Sequence, residues 1–255
     1  MTIEEKEDFT PSKRKSRTRE VFERLLKNRS AVVGGVILSV LIFTAVFAGR
    51  IAPYSTSKQN LRNALAAPSR EHFMGTDDLG RDIFSRIVWG ARISLQVGLI
   101  SVSIAMLGGL MLGAVAGYHG GRLDNALMRA IDVFLAIPSL LFAIAIVSAL
   151  GPGLRNVMIA VGLGSVPGYA RIVRASVLTL RDQEFVEAAR SIGATDGRII
   201  LRHILPNALA PLIVQATLGV AHAILSAASL SFIGLGIQPL SATAIRTPAP
   251  LKGPT

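Results

Sequence analysis

The sequence contains no cysteine, and this absence excludes disulfide bonds and thiolate metal sites. It also contains no Gly-x-x-x-x-Gly-Lys-Ser/Thr motif, which excludes nucleotide binding of the P-loop type. Acidic residues are scarce, 16 against 27 Lys and Arg, so the formal net charge is +11. Because the basic residues lie beside long apolar runs, we interpret this charge as the signal that orients membrane helices. From these features we expect no metal site, no cofactor and no nucleic-acid partner.

Long apolar runs dominate the chain, and 51% of its 255 residues are hydrophobic. Several runs approach or exceed the roughly 20 residues that an α-helix needs to cross a bilayer. This pattern predicts an all-α membrane protein, a polytopic helix bundle with about five spanning helices. The predicted spans are residues 31–48, 93–118, 126–150, 156–180 and 208–232. Residues 1–30 are polar and rich in Lys and Arg, so we expect a cytoplasmic N-terminal tail.

A polar, basic segment, residues 181–206, separates the last two predicted spans. Its pattern predicts two short helices, the first with a narrow apolar face formed by Phe185, Ala188, Ala189 and Ile192. We expect Gly193 to end the first helix, because glycine adopts left-handed backbone angles at low cost. Pro206 is expected to break the second helix, whose apolar residues are Ile199, Ile200 and Ile204. Periodicity alone leaves open whether the segment is a docking element or an ordinary loop.

The spacing within this segment resembles the EAA loop of permease subunits in ATP-binding-cassette importers. The matching residues are Glu187, Ala188, Ala189, Gly193, Leu205 and Pro206. In that family the loop lies in the cytoplasm and docks into a groove on the ATPase subunit. The resemblance therefore implies that residues 181–206 form a coupling loop and that the six matching residues contact an ATPase subunit. His203 replaces the isoleucine of the general pattern, which resembles the peptide and nickel branch of the family.

A second resemblance lies in the polar segment between the first two predicted spans. The block from His72 to Arg86 is rich in Asp, Gly and Arg, and Gly90-Ala91-Arg92 follows it. From the residues alone we interpret this block as an ordered outer loop held by Asp–Arg pairs. The block also resembles the segment before the second span in dipeptide, oligopeptide and nickel permeases.

The two resemblances imply a permease subunit of an ATP-driven bacterial importer for dipeptides or oligopeptides, located in the plasma (inner) membrane. They imply four partners besides membrane lipid: a second permease subunit, two ATP-binding subunits and an extracytoplasmic substrate-binding protein. The chain would form half of the translocation path. It would not itself be an enzyme, because a partner subunit would hydrolyse ATP. The sequence does not identify the solute or the residues that contact it.

Helix-packing signals occur inside the predicted spans. The run Gly109-x-x-x-Gly113-x-x-x-Gly117 predicts a face on which two membrane helices approach closely. Pro138 is expected to kink the third span by removing a backbone hydrogen bond. Pro167, with neighbouring glycines, is expected to weaken the fourth span near its middle.

Ionisable residues inside the predicted spans are few. We favour an ion pair between Arg129 and Asp132, which are three residues apart on one helix. The alternative is that Asp132 lies on the transport path, because intramembrane carboxylates are candidate functional groups. His222 is interpreted as a packed or hydrogen-bonded residue rather than a ligand.

The C-terminal end departs from the family pattern. We assign residues 31–238 to the permease domain and residues 239–255 to an atypical Pro-rich tail, because the resemblance ends near Pro239. Relatives continue into a sixth span, so we expect this chain to lack the last membrane helix. Alternative functions are a nickel or other solute importer of the same branch, or a truncated, non-transporting fragment. An ion-driven secondary transporter is less favoured, because no inverted repeat is evident.

Overall fold

The computed structural model describes residues 26–236. The predicted tail at residues 239–255 and most of the tail at residues 1–30 lie outside this range. Within the described range the chain contains helices and connecting loops and no β-strand. The long helices are α1 (Arg29–Val46), α3 (Ile83–His119), α6 (Leu154–Leu180) and α9 (Leu205–Phe232). The shorter helices are α2 (Ala48–Ile51), α4 (Gly121–Ala136), α5 (Ser139–Leu150), α7 (Glu184–Ser191) and α8 (Asp196–Ile199).

Four helices are long and apolar enough to cross a membrane, and the bent pair α4–α5 makes five if it is counted as one span. The bend between α4 and α5 is 87° and lies at Ile137 and Pro138. Proline lacks the backbone N–H that a continuous helix needs at this point, and its ring clashes with the preceding turn. The expected kink at Pro138 is therefore confirmed, and it is a break between two helices.

Helices α3 and α6 form the most extensive helix pair of the bundle. The glycines at 109, 113 and 117 face α6, where a methyl group on Gly113 would lie 2.4 Å from the carbonyl oxygen of Ala170. Such a distance is far below an ordinary contact, so only glycine permits this approach of the two backbones. The predicted helix-packing face is confirmed.

The predicted weakening at Pro167 is wrong, because α6 continues without a break from Leu154 to Leu180. Pro167 is buried, and its neighbours Tyr169 and Ala170 pack against the glycine face of α3. This packing holds the backbone helical through the proline, as neighbouring helices commonly do in membrane proteins.

The predicted break at Pro206 is also wrong. Residues Ile200–Ile204 form a π-helical turn, and α8, this turn and α9 run as one helix from Asp196 to Phe232. A π-turn is wider than an α-turn, so it accommodates the proline ring without ending the helix. The second short helix expected in segment 181–206 is thus the start of the last long helix. Its apolar residues Ile199 and Ile204 are fully buried, and Ile200 packs beside them.

Helix α3 begins ten residues before the predicted span, at Ile83. The side chain of Asp82 caps it by accepting a hydrogen bond of 2.7 Å from the backbone N–H of Ser85. The preceding loop is ordered by Asp77, which accepts a hydrogen bond of 2.8 Å from Arg81 Nε and a second from Arg86. The expected Asp–Arg pairs in this loop are confirmed, and its outer location stays a prediction.

Candidate functional site

The coupling-loop segment lies at the end of the bundle where α3 stops and α6 stops. Helix α7 starts after Gln183 and packs through Val186 and Ala189, which are buried against the core that α3, α6 and α9 share. The predicted apolar face is therefore wrong in its register. Ile192 is 86% exposed, and Phe185 is also exposed. The helix has only two turns and leans on the bundle along one edge, so only two of its apolar side chains reach the core.

Gly193 ends α7 as expected. Its φ is +79°, and no atom lies within 4 Å of the position that a Cβ would occupy. The backbone N–H groups of Gly193 and Ala194 donate to the carbonyl oxygens of Arg190 and Ala189, at 3.0 and 3.1 Å. This pattern satisfies carbonyl groups at the helix end and requires left-handed backbone angles, which favour glycine.

The six residues matched to the EAA pattern divide between the surface and the interior. Glu187, Ala188, Gly193 and Pro206 are exposed at the end of the bundle. Ala189 is buried, and Leu205 is half-buried against the same core. Two exposed apolar side chains that the pattern does not include, Ile192 and Leu201, lie in the same segment.

Tyr118, near the end of α3, fastens both halves of the segment to the bundle. Its hydroxyl donates a hydrogen bond of 2.7 Å to Asp196 Oδ1 at the start of α8. Arg190 of α7 donates to the same hydroxyl at 3.4 Å, and its guanidinium group lies 5.9 Å from the ring centre. One aromatic side chain thus joins α3 to α7 and α8. Nothing in the sequence pattern identifies Tyr118, because its partners are 72 and 78 residues away.

A partly buried ion pair stabilises the same end of the bundle. Arg174 of α6 donates two hydrogen bonds to the carboxylate of Asp124 in α4, at 2.5 and 2.6 Å. This bidentate geometry is the strong form of an Arg–carboxylate contact. Sequence reasoning missed the pair, because it placed residue 124 in a turn between spans. Asp124 instead lies in the first turn of α4 and is only 7% exposed.

Arg181 strengthens this junction at the point where the coupling-loop segment leaves α6. Its Nη1 donates a hydrogen bond of 3.0 Å to the carbonyl oxygen of Gly117 near the end of α3. The start of the segment is therefore tied to α3 through Arg181, and the remainder is tied through Tyr118.

The favoured pair between Arg129 and Asp132 is wrong. Asp132 accepts a hydrogen bond of 2.5 Å from Arg171 of α6, and both side chains are exposed. The pairing crosses between helices because α4 packs against α6, which brings Arg171 within reach.

Comparison with known families matches residues 109–248 to the binding-protein-dependent transport system inner membrane component. Residues 16–68 match the N-terminal TM domain of oligopeptide transport permease C. The dipeptide transport system permease protein DppC of Alkalihalophilus pseudofirmus is 52% identical over 220 residues, which cover 86% of this chain and 72% of that protein. The di/tripeptide transport system permease protein DppC of Pseudomonas aeruginosa is 44% identical over 227 residues, covering 87% and 75%.

A third relative is the glutathione transport system permease protein GsiD of Pectobacterium atrosepticum, which is 43% identical over 222 residues and covers 87% of this chain and 74% of that protein. Among solved structures, the fold is similar to two inward-facing crystal forms of the MetNI methionine ABC transporter. Their TM-scores are 0.51 and 0.50, at 22% and 24% sequence identity, and each covers 56% of this chain and 72% of that chain. At this identity the likeness concerns the fold alone.

Proposed function

Because the chain belongs to the family of binding-protein-dependent transport system inner membrane components, we propose that it is a permease subunit of an ATP-driven importer for short peptides. The peptide assignment is supported by the names of its relatives, two of which are dipeptide or di/tripeptide permeases. The related glutathione permease also carries a name that denotes a peptide-like solute. The proposed location is the bacterial plasma (inner) membrane.

The coupling-loop segment carries the proposal. It is fixed to the bundle by Tyr118, yet it exposes Ile192 and Leu201, by 86% and 70%, and the acidic Glu187 of the same segment is also exposed. Exposed apolar side chains surrounded by polar ones are typical of a surface that a partner covers. We propose that an ATPase subunit covers this surface. Glu187, Ala188, Gly193 and Pro206 would lie in the contact, with Ala189 and Leu205 beneath it.

The remaining partners follow from the same assignment. A second permease subunit would complete the solute path, two ATP-binding subunits would hydrolyse ATP, and an extracytoplasmic binding protein would deliver the peptide. The chain's own part is mechanical, and its family is one of transport permeases rather than of enzymes. Closure of the ATPase subunits would displace α7, and Tyr118 and Arg181 would carry that displacement into α3.

Substrate-stimulated ATP hydrolysis by the assembled complex in proteoliposomes tests this proposal. We expect Gly193→Val to abolish most of the stimulation, because a β-branched residue is strained at positive φ and would distort the end of α7. We expect Glu187→Lys to weaken it by reversing a charge on the exposed surface.

Gly151→Val is the matched control, because Gly151 also has positive φ (+89°) and open space, but lies in the turn before α6. That turn is about 40 Å from the coupling loop, along the 27 residues of α6. Normal stimulation in both Gly193→Val and Glu187→Lys would refute the assignment of this surface. An equal loss in Gly151→Val would show that backbone strain anywhere in the chain causes the defect.

A further inference from the structure

An open, polar cavity of about 240 Å³ lies among α3, α4, α5, α6 and α9 on one side of the bundle. Its hydrogen-bonding side chains are Ser101, Ser139, Ser165, Tyr169, Gln215, His222 and Ser226. The cavity is smaller than the roughly 300–1,000 Å³ of a typical small-molecule pocket. It can therefore receive part of a small solute but does not enclose one.

Helix α9 presents a polar stripe to this cavity. Gln215, Gly219, His222 and Ser226 follow one another at intervals of four, three and four residues, which places them on one face of the helix. Polar and ionisable side chains are costly against lipid, so in membrane helices they face protein or a water-filled space. The stripe marks the side of α9 that faces away from hydrocarbon.

The stripe has hydrogen-bonding capacity that the chain itself does not use. Elsewhere on α9, Ser229 donates its hydroxyl to the carbonyl oxygen one turn earlier, at 3.0 Å. In the part of the chain that the structure describes, the side chains of Gln215, His222 and Ser226 have no such partner. The hydroxyl of Tyr169, by contrast, already donates a hydrogen bond of 3.2 Å to the backbone carbonyl of Gln215. The cavity is thus lined by the hydrogen-bonded Tyr169 and by amide, imidazole and hydroxyl groups that have no partner within the described residues.

The lining contains no Asp, Glu, Lys or Arg. A site for a metal cation or a free carboxylate would need an opposite charge or a cluster of ligands at this depth. Amide, imidazole and hydroxyl groups instead match neutral donors and acceptors, such as the N–H and C=O groups of a peptide bond. The chemistry of the lining therefore selects a neutral, hydrogen-bonding group.

We infer that this cavity belongs to the solute path and that Gln215, His222 and Ser226 hydrogen-bond the peptide unit of a short peptide during its passage. The inference rests on the proposed function and adds to it the residues that contact the solute. The rest of the peptide would extend into space bounded by the second permease subunit.

Because the chain contains no cysteine, a single introduced cysteine can be labelled selectively in it. Gln215→Cys, His222→Cys and Ser226→Cys each introduce one thiol, and Ser226→Cys only replaces oxygen by sulfur. The controls are Val214→Cys and Leu225→Cys, which lie on α9 outside the cavity and are exposed on the isolated chain. The assembled complex in proteoliposomes is treated with a membrane-impermeant methanethiosulfonate, with and without dialanine and ATP, and the mass shift of this chain is followed.

We expect the three stripe cysteines to react at least about tenfold faster than the controls, because a thiol surrounded by hydrocarbon has a raised pKa and a small thiolate fraction. We also expect dialanine to slow their labelling and to leave the controls unchanged. Equal labelling rates at stripe and control positions, with dialanine uptake by the wild-type complex intact, would overturn the inference and leave the proposed function standing. Fast labelling that dialanine does not slow, again with uptake intact, would overturn the peptide contact. If the wild-type complex takes up no dialanine, the proposed function itself fails.

Discussion

Replacing Gly113 by alanine is the sharpest test of how the bundle is held together. The added methyl carbon would lie 2.4 Å from the carbonyl oxygen of Ala170, 2.7 Å from Val173 Cβ and 3.0 Å from the backbone nitrogen of Arg174. Two of these three neighbours are backbone atoms of α6, so no side-chain rotation relieves the clash. The helices must separate by about 1 Å to restore ordinary contact.

The cost follows from that separation. Forcing an extra methyl group into a well-packed interior costs about 1–3 kcal/mol. Gly35→Ala is the matched control, because no atom lies within 4 Å of the added carbon on α1. There the change gains about 0.5–1 kcal/mol of helix propensity. Gly117→Ala should be milder than Gly113→Ala, since its nearest neighbour is a side-chain carbon of Val177 at 2.9 Å.

Thermal stability of the detergent-solubilised complex, followed by size-exclusion chromatography after heating, measures the difference. At about 2–4 °C per kcal/mol, Gly113→Ala should lower the apparent Tm by about 2–12 °C. Gly35→Ala should leave it unchanged or raise it slightly. An apparent Tm for Gly113→Ala equal to that of the wild type would refute the view that this backbone contact needs glycine.

Two further predictions concern carboxylates. Asp124→Asn should destabilise the folded chain by about 1–3 kcal/mol, because it removes the charge that pairs with the partly buried Arg174. Asp132→Asn, at an exposed pair, should cost less than about 1 kcal/mol, and equal losses in the heating assay would contradict this contrast. Burial opposes ionisation of Asp77, yet hydrogen bonds from Arg81 and Leu79 outweigh it and hold the pKa of Asp77 below its ordinary value of 3.8. The ionised carboxylate of Asp77 therefore stabilises the folded loop fully above about pH 4, and this stabilisation is lost as the pH falls through the lowered pKa. The test is pepsin cleavage of the loop at residues 52–82, in the wild type and in Asp77→Asn, which lacks the carboxylate at every pH. We expect the ratio of the wild-type rate to the Asp77→Asn rate to be higher below the lowered pKa than at pH 5. A constant ratio of the two cleavage rates across this range would count against the prediction.

Local signals in the sequence predicted local structure well. The glycine run of α3, the kink at Pro138 and the helix end at Gly193 depend on the backbone properties of single residues, and all three are confirmed. The membrane fold and the family were also predictable, because span length and the spacing of segment 181–206 are properties of short stretches. The coupling-loop contacts and the solute stay proposals.

Features that depend on neighbouring helices were predicted poorly. Pro167 and Pro206 carry the same local signal as Pro138, yet packing around one and a π-turn before the other keep the helices continuous. Pairs such as Asp124–Arg174 join residues 50 positions apart, and no spacing rule connects them. The register of α7 also depends on which edge meets the core, and this cannot be read from a two-turn pattern.

A single unbroken helix, from Asp196 to Phe232, joins the coupling-loop segment to the opposite end of the bundle. Its 37 residues span about 55 Å. It makes one close contact with α3 where Gly98 meets Val220, since a methyl group on Gly98 would lie 2.7 Å from Val220 Cγ1. This contact lies about 36 Å from the end that begins in the coupling loop and about 18 Å from the other end. Because no break interrupts these 37 residues, we expect a displacement of the coupling-loop end to reach the opposite end of the helix, with α3 moving alongside through Tyr118.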